Sequence, residues 1–417
     1  MRFAALGLLP LCIAQPLSTQ SSSTDRVAGW SRDLQVYLEA LASQHYVLRR
    51  GPLPDSIRTA GARFRTNVAS WSDDRALAEL MRIAQMAGDG HTYVLPFSAA
   101  RVTSHYLPLR FYQFSDGMFV IDADPAYERW IGARVDAIAG VPTERISSLM
   151  KPYIPRDNDA GGILFAVATL IRFQGFIEAI TNRYFRDSVP LTLTVQPSNR
   201  PTVRQFPLIP APALRGMPKL IPSRISNAPA PRWLRNVPTT FWFEPIGDTV
   251  LYLQFNQVMN TPEETLRQAA GRLDRAIGAQ HPRLLIVDAR HNNGGNLMLL
   301  DPLIDVLRTY KEQGGRLVVI SGRHTFSAAQ VFLGRAEHEA HAEIVGEPSA
   351  SKPNFVGEEN PVMLPFSGAM ASVSDEYHES IPSDTRPWIE PKPKIILSSA
   401  DYFANRDPVL EAILRGR

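Results

Sequence analysis

A serine set where a strand hands over to a helix is the first residue in this sequence with the makings of chemistry. Ser327 follows the apolar run Leu-Val-Val-Ile at 317–320, the pattern of a short strand buried on both faces, and precedes Ala328, Ala329, Val331, Phe332 and Leu333, which open a helical spacing. The first N–H groups of a helix have no internal partner, so a hydroxyl at this junction has two uses. It can attack a carbonyl whose oxyanion those N–H groups receive, or it can simply cap the helix. A serine hydroxyl is a weak nucleophile until a base removes its proton. Two neighbours bear on the choice: Lys352 lies 25 positions downstream, and an Asn292-Asn-Gly-Gly295 loop lies upstream.

In order along the chain, three motifs resemble those of the tail-specific, or C-terminal processing, serine peptidases. Thr325-Phe-Ser327-Ala328 matches the Thr-x-Ser-Ala nucleophile motif, and Gly346-Glu347 through Lys352 matches a Gly-Glu-x-x-x-x-Lys segment. Upstream, Asp288-Ala-Arg290-His-Asn-Asn-Gly294-Gly295 matches an Asp-x-Arg-x-Asn-x-Gly-Gly loop. Each is weak alone, and the three in order are specific. The resemblance implies Ser327 as nucleophile, Lys352 as general base, and an oxyanion hole made by the Ala328 N–H with that of Gly294 or Gly295, glycine permitting close backbone approach to a carbonyl. A lysine accepts a proton only when neutral, so Lys352 is expected in a desolvated pocket poor in carboxylates, well below its reference pKa of about 10.4. Gly88-Asp-Gly-His91-Thr-Tyr-Val94 resembles the Asp-x-His-Thr motif of several branches; in the branch typified by the tricorn peptidases such a histidine is the base. His91 is therefore a second candidate, with a plain hydrogen-bonded turn histidine as its alternative. The register of the Gly346–Lys352 match favours Lys352, with His91 expected outside the immediate surroundings of Ser327. The chain departs from the family pattern at Gln330, Val356 and Lys392, where Glu, Gln and Asp are common.

The elements that must position these residues follow from periodicity. Residues 25–97 read as a helical region: Val27, Trp30, Leu34, Leu38 and Leu41 recur at spacings of three and four, as do Leu77, Leu80, Met81 and Ala84. Residues 98–205 read as a β-rich domain with strands near 106–114, 118–123 and 191–196 and a helix near 162–181. Its Gly132-Ala-Arg-Val135-Asp-Ala-Ile138-Ala-Gly140 segment resembles a PDZ-like module, which holds a peptide by strand addition. A structural β-domain without a ligand is the alternative. Between Phe206 and Pro238 lie eight prolines and no acidic residue, the composition of an extended connector over 206–238. From 239 to 417 strands alternate with helices, which predicts an α/β core; the resemblance implies a ClpP/crotonase-like fold for it. In that core Thr261-Pro-Glu-Glu264 predicts a helix start with a capping box.

Composition narrows the function classes. At 417 residues, 44% apolar and 20% charged, the chain is that of an ordinary globular protein with room for several cores. The net charge of +3 is spread without blocks, which argues against a nucleic-acid partner. No run after the N-terminus approaches the length of a membrane span. Residues 1–14, a charged start and an apolar run ending at Ala14, read as a secretory signal peptide, so the protein is expected to be exported to the periplasm or outside the cell. Cys12 offers a lipid anchor as the alternative, against which bulky Leu11 argues. It is the single cysteine, so cleavage after Ala14 would exclude thiol, disulfide and cysteine–metal chemistry, and neither cofactor nor metal is called for.

The expected activity is a serine endopeptidase cutting a polypeptide substrate, engaged in one version through its C-terminal tail. The alternatives are a catalytically silent peptide-binding protein on the same fold and a small-ester acyl hydrolase.

Overall fold

The computed structural model describes residues 23–416 apart from 100, 197, 199 and 211–218. The expectations placed on residues 1–14, Ala14 and Cys12 fall outside the described residues. The chain is a mixed α/β structure in which a parallel sheet carries the strand-to-helix junction of Ser327.

That sheet has five strands in the order Phe241–Ile246, Val250–Phe255, Leu284–Asp288, Arg316–Ser321 and Glu343–Gly346. The first pair is antiparallel and the other three pairings are parallel. The continuous apolar runs exist because both faces are covered. Leu251, Leu253, Leu285, Val287, Leu317 and Val319 pack beneath the helices Leu266–Gln280, Asp301–Glu312 and Ala328–His338. Tyr252, Ile286, Val318 and Ile320 pack with Val409, Leu410 and Ile413 of the terminal helix Pro408–Arg415. Each such side chain contributes about 1.5–3 kcal/mol on burial, enough collectively to fix the strand ends from which the functional loops leave. Arg290 reinforces that edge: its Nη2 lies 2.7 Å from Asp407 and its Nε 3.0 Å from Asp288, so it ties the terminal helix to the end of strand Leu284–Asp288.

The helix predicted to start at Thr261 starts four residues later. Thr265 is the cap: its hydroxyl accepts from the Gln268 N–H, and Gln268 Oε1 accepts from the Thr265 N–H at 2.8 Å. Thr261 instead closes its own turn by accepting the Glu264 N–H at 3.0 Å. Two cap-like signals lie in tandem, and the one directly before the apolar Leu266 wins because only there does helical spacing put Leu266, Ala269, Ala270 and Leu273 on the buried face.

The N-terminal helices are Ser23–Gln44, Asp55–Asn67 and Asp73–Gln85. Beyond them an antiparallel sheet runs Leu109–Phe114, Gly117–Ala123, Arg134–Ile138, Ser188–Thr194, Pro201–Pro207. One apolar core passes through both, joining Trp30, Phe64 and Leu80 to Leu109, Val120, Val135 and Leu193, and it also takes in Val362 and Val373 from far along the chain. The helix expected over 162–181 is two helices, Gly161–Leu170 and Gln174–Thr181, because the Arg172 carbonyl is drawn off to the Leu107 N–H. The proline-rich connector packs closely: Trp233 stacks on His291 at 5.2 Å and takes the Arg290 guanidinium over its ring at 4.3 Å. Among the described residues no helix is long and apolar enough to cross a membrane.

Candidate active site

Ser327 stands one residue before the helix Ala328–His338 with φ 57° and ψ −129°, a conformation that costs a non-glycine residue on the order of 1–3 kcal/mol. It holds the N-cap position, yet its side chain makes no capping bond. The hydroxyl is thus not used as a helix cap. The strained backbone is held from several sides: the Ser327 N–H donates to Ser351 Oγ at 3.2 Å, the Phe326 N–H to the Asn292 carbonyl at 3.2 Å, and the Gln330 N–H to the Ser327 carbonyl at 2.7 Å.

The three motifs meet here for reasons visible atom by atom. Thr325 donates its hydroxyl to the Ala289 carbonyl at 2.9 Å and accepts the Gly322 N–H at 3.0 Å, and its own carbonyl takes the Ala350 N–H at 2.9 Å. One residue therefore joins the glycine loop, the Ser327 turn and the loop that ends at Lys352. Asn292 anchors its loop by donating to the Phe255 carbonyl at 3.1 Å and accepting the Gly294 N–H at 3.0 Å. Gly294 and Gly295 have φ of +105° and +134°. A Cβ on Gly294 would stand 2.8 Å from Ser327 Cβ and 3.0 Å from the Ala328 nitrogen, so only glycine lets the two turns touch. With the Gly294 N–H committed to Asn292, the N–H groups of Ala328 and Gly295 are those left over for an oxyanion.

The two candidate bases stand in different surroundings. His91 is buried, its ring stacked 4.3 Å from that of Phe326, the residue before Ser327, and 5.3 Å from that of Phe355. Burial pushes its pKa down to about 4, with Asp89 opposing and His378 adding to the drop, so the ring is neutral near pH 7. The turn that carries it is built on Asp89, which accepts the His91 N–H at 2.9 Å and the Thr92 N–H at 2.7 Å and lies 2.9 Å from His45 Nε2. Burial raises the Asp89 carboxyl, but the bonds from His45, Ser374 and Thr92 outweigh it and hold the group below the ordinary carboxylate range. Strand Tyr93–Val94, next in sequence, pairs with Met370–Val373 and locks this turn against the C-terminal half. Lys352, by contrast, has an exposed side chain, and a carboxylate, Asp157, lies within its electrostatic reach. That differs from the desolvated, carboxylate-poor setting expected for it: the loop buries Ser349 and Ser351 and turns the lysine outward.

Sequence reasoning passed over Ser351 and Asp157. Ser351 receives the Ser327 N–H, and its place one residue before Lys352 was the available signal. Asp157 is buried, accepts the Gly90 N–H at 2.7 Å, and lies near Ser351; burial raises its pKa to about 7 despite the bonds that lower it. Nothing in the local sequence distinguishes it from a turn aspartate. Beside it the helix Gly161–Leu170 abuts the same loop so tightly that a Cβ on Gly161 would fall 2.4 Å from the Pro348 carbonyl oxygen.

The fold that carries this strained serine and glycine loop is that of the tail-specific proteases. The structure of mature CPAF complexed with lactacystin overlays on 91% of this chain and 96% of its own with a TM-score of 0.60 at 12% identity. A second structure of mature CPAF covers 91% and 94% at a TM-score of 0.57 and 13% identity. The photosystem II D1 C-terminal processing protease matches more loosely, over 90% and 96% at 0.39 and 12%. No protein-family model and no curated protein sequence matches the chain.

Proposed function

We propose that this protein is an exported serine peptidase of the tail-specific type, cutting unstructured polypeptides with Ser327 as nucleophile and His91 as general base. The observation that carries the reading is the strained, uncapped Ser327, because strain of this size persists only where the surroundings impose it and such positions cluster at active sites. Ser327 Oγ attacks the substrate carbonyl carbon and His91 takes its proton; the tetrahedral oxyanion is received by the N–H groups of Ala328 and Gly295, with Gly294 supplying the close approach. The proton then passes to the departing amine, and water releases the acyl group by the same route. His91 is preferred over Lys352 because it is desolvated, neutral and packed on the residue preceding the nucleophile, whereas Lys352 is exposed while Ser349 and Ser351 of its loop fill the interior. The core is read as ClpP/crotonase-like and the 98–205 sheet as a PDZ-like module presenting the substrate. The test is fragment mass spectrometry of an unfolded reporter protein incubated with wild type and Ser327→Ala. Cleavage lost in the variant supports the peptidase; turnover of small esters alone, or binding without turnover, rejects it.

A further inference from the structure

A cavity of about 260 Å³ opens against the candidate site, lined by Phe326 and Asn293 next to the nucleophile and the glycine loop and by Gly90 next to His91. Its walls are largely apolar, with Met81, Val94, Ile154 and Leu170 among them. Among the described residues no Asp or Glu lines it, but three cations do: Arg156, Lys219 and Arg323.

Two of those cations have carboxylate partners, Arg156 sharing its own with Lys151. Arg156 is paired with Asp159 at 2.7 Å and Arg323 with Glu347 at 2.9 Å. Lys219 is not: its Nζ donates to the Asn256 carbonyl at 3.3 Å, and no carboxylate pairs with it among the described residues. The segments 1–22 and 211–218 and residues 100, 197, 199 and 417 contain no Asp or Glu side chain. Burial lowers the Lys219 pKa, and among the described residues no opposing charge restores it. A half-buried ammonium without a counter-charge is costly, and a ligand carboxylate is the group that would remove the cost.

We infer that this cavity is the subsite for a residue adjoining the scissile bond, and that it selects a group with an apolar stem ending in a carboxylate, read by Lys219. The inference rests on the peptidase reading for its position on the substrate, but the carboxylate preference stands on the cavity alone. The carboxylate has two sources, an acidic side chain or the chain's own C-terminus. Both are distinguished by measuring fluorescence anisotropy of labelled peptides with the Ser327→Ala protein, which needs no turnover. One peptide pair differs only as internal Glu against Gln with an amidated end, the other only as free acid against amide with no acidic side chain. The acid member of a pair is expected to bind about tenfold more tightly, the worth of one charge-assisted hydrogen bond. Lys219→Met should erase that difference and Lys219→Arg should restore it. A difference in the first pair assigns a side-chain carboxylate, and one in the second assigns the chain end. Equal binding within both pairs, a difference that survives Lys219→Met, or no measurable binding of any peptide overturns the inference. A wild-type protein that binds the acid peptides but cuts nothing leaves it standing and removes the peptidase reading.

Discussion

At the scale of single residues the decisive quantity is the backbone of Ser327. Its φ of 57° and ψ of −129° suit glycine better than any L side chain, and its hydroxyl gains nothing by capping the helix. Ser327→Gly should therefore raise stability by about 1 kcal/mol while abolishing turnover, a trade visible by comparing denaturant midpoints with cleavage rates. A destabilised Ser327→Gly protein would mean that the conformation is not strained. The choice of base also belongs here. His91→Ala should lower turnover on the order of 10² to 10⁴-fold, whereas Lys352→Ala should keep most of it, because Lys352 is exposed while His91 is buried against Phe326. Rates of the two variants on one unfolded substrate decide between them, and an inactive Lys352→Ala beside an active His91→Ala would return the role to the lysine.

At the scale of elements, the proposed reaction depends on two turns brought into contact by neighbouring parallel strands. Leu284–Asp288 and Arg316–Ser321 end side by side, so the loops that follow them emerge on the same edge. Gly294 is the point of contact. Gly294→Ala would push a methyl to within 2.8 Å of Ser327 Cβ at a φ of +105° that alanine avoids. The expected result is a loss of about 1–3 kcal/mol in stability together with a disproportionate fall in turnover, because relief of the clash moves the nucleophile away from the Ala328 N–H. Unchanged kinetics would show that this loop takes no part in the reaction.

At the scale of the molecule, the site is a junction of segments remote in sequence. Asp157 sits there, accepting from Gly90 beside the histidine turn and lying near Ser351 of the nucleophile's loop, with Asp89 and Lys352 as the charges that face it. Its folded-state pKa of about 7 is above the reference carboxylate value, so the folded protein holds the proton more tightly than the unfolded chain. The stability this contributes is full below about pH 4 and lost as pH rises through about 7. Asp157→Asn escapes that loss. Relative to wild type it should gain on the order of a few kcal/mol between pH 4 and pH 8, read from urea unfolding at both ends of that range. A pH-independent difference would show that Asp157 ionises normally.

The sequence alone determined what local physics encodes. The apolar run at 317–320, the helical spacing from Ala328 and the paired glycines at 294 and 295 announced a serine at a parallel strand-to-helix junction, because burial on both faces, helical period and positive φ each leave a mark on residue type. The same reasoning found the helical region before Gly88 and the alternation of strands and helices after Thr239. It misplaced the helix start at Thr261, since two capping signals in tandem are separated only by which one aligns the apolar face with the sheet. Tertiary structure alone decided what surrounds Ser327. Whether a loop lysine is desolvated depends on what packs over it, and here Ser349 and Ser351 fill the interior while Lys352 faces solvent. His91, 236 positions before the serine, is carried to Phe326 by the pairing of Tyr93–Val94 with Met370–Val373 and by a core shared between the first helices and residues 362–373. Contacts of that sequence separation arise from docking of whole surfaces, which no local pattern of residues records.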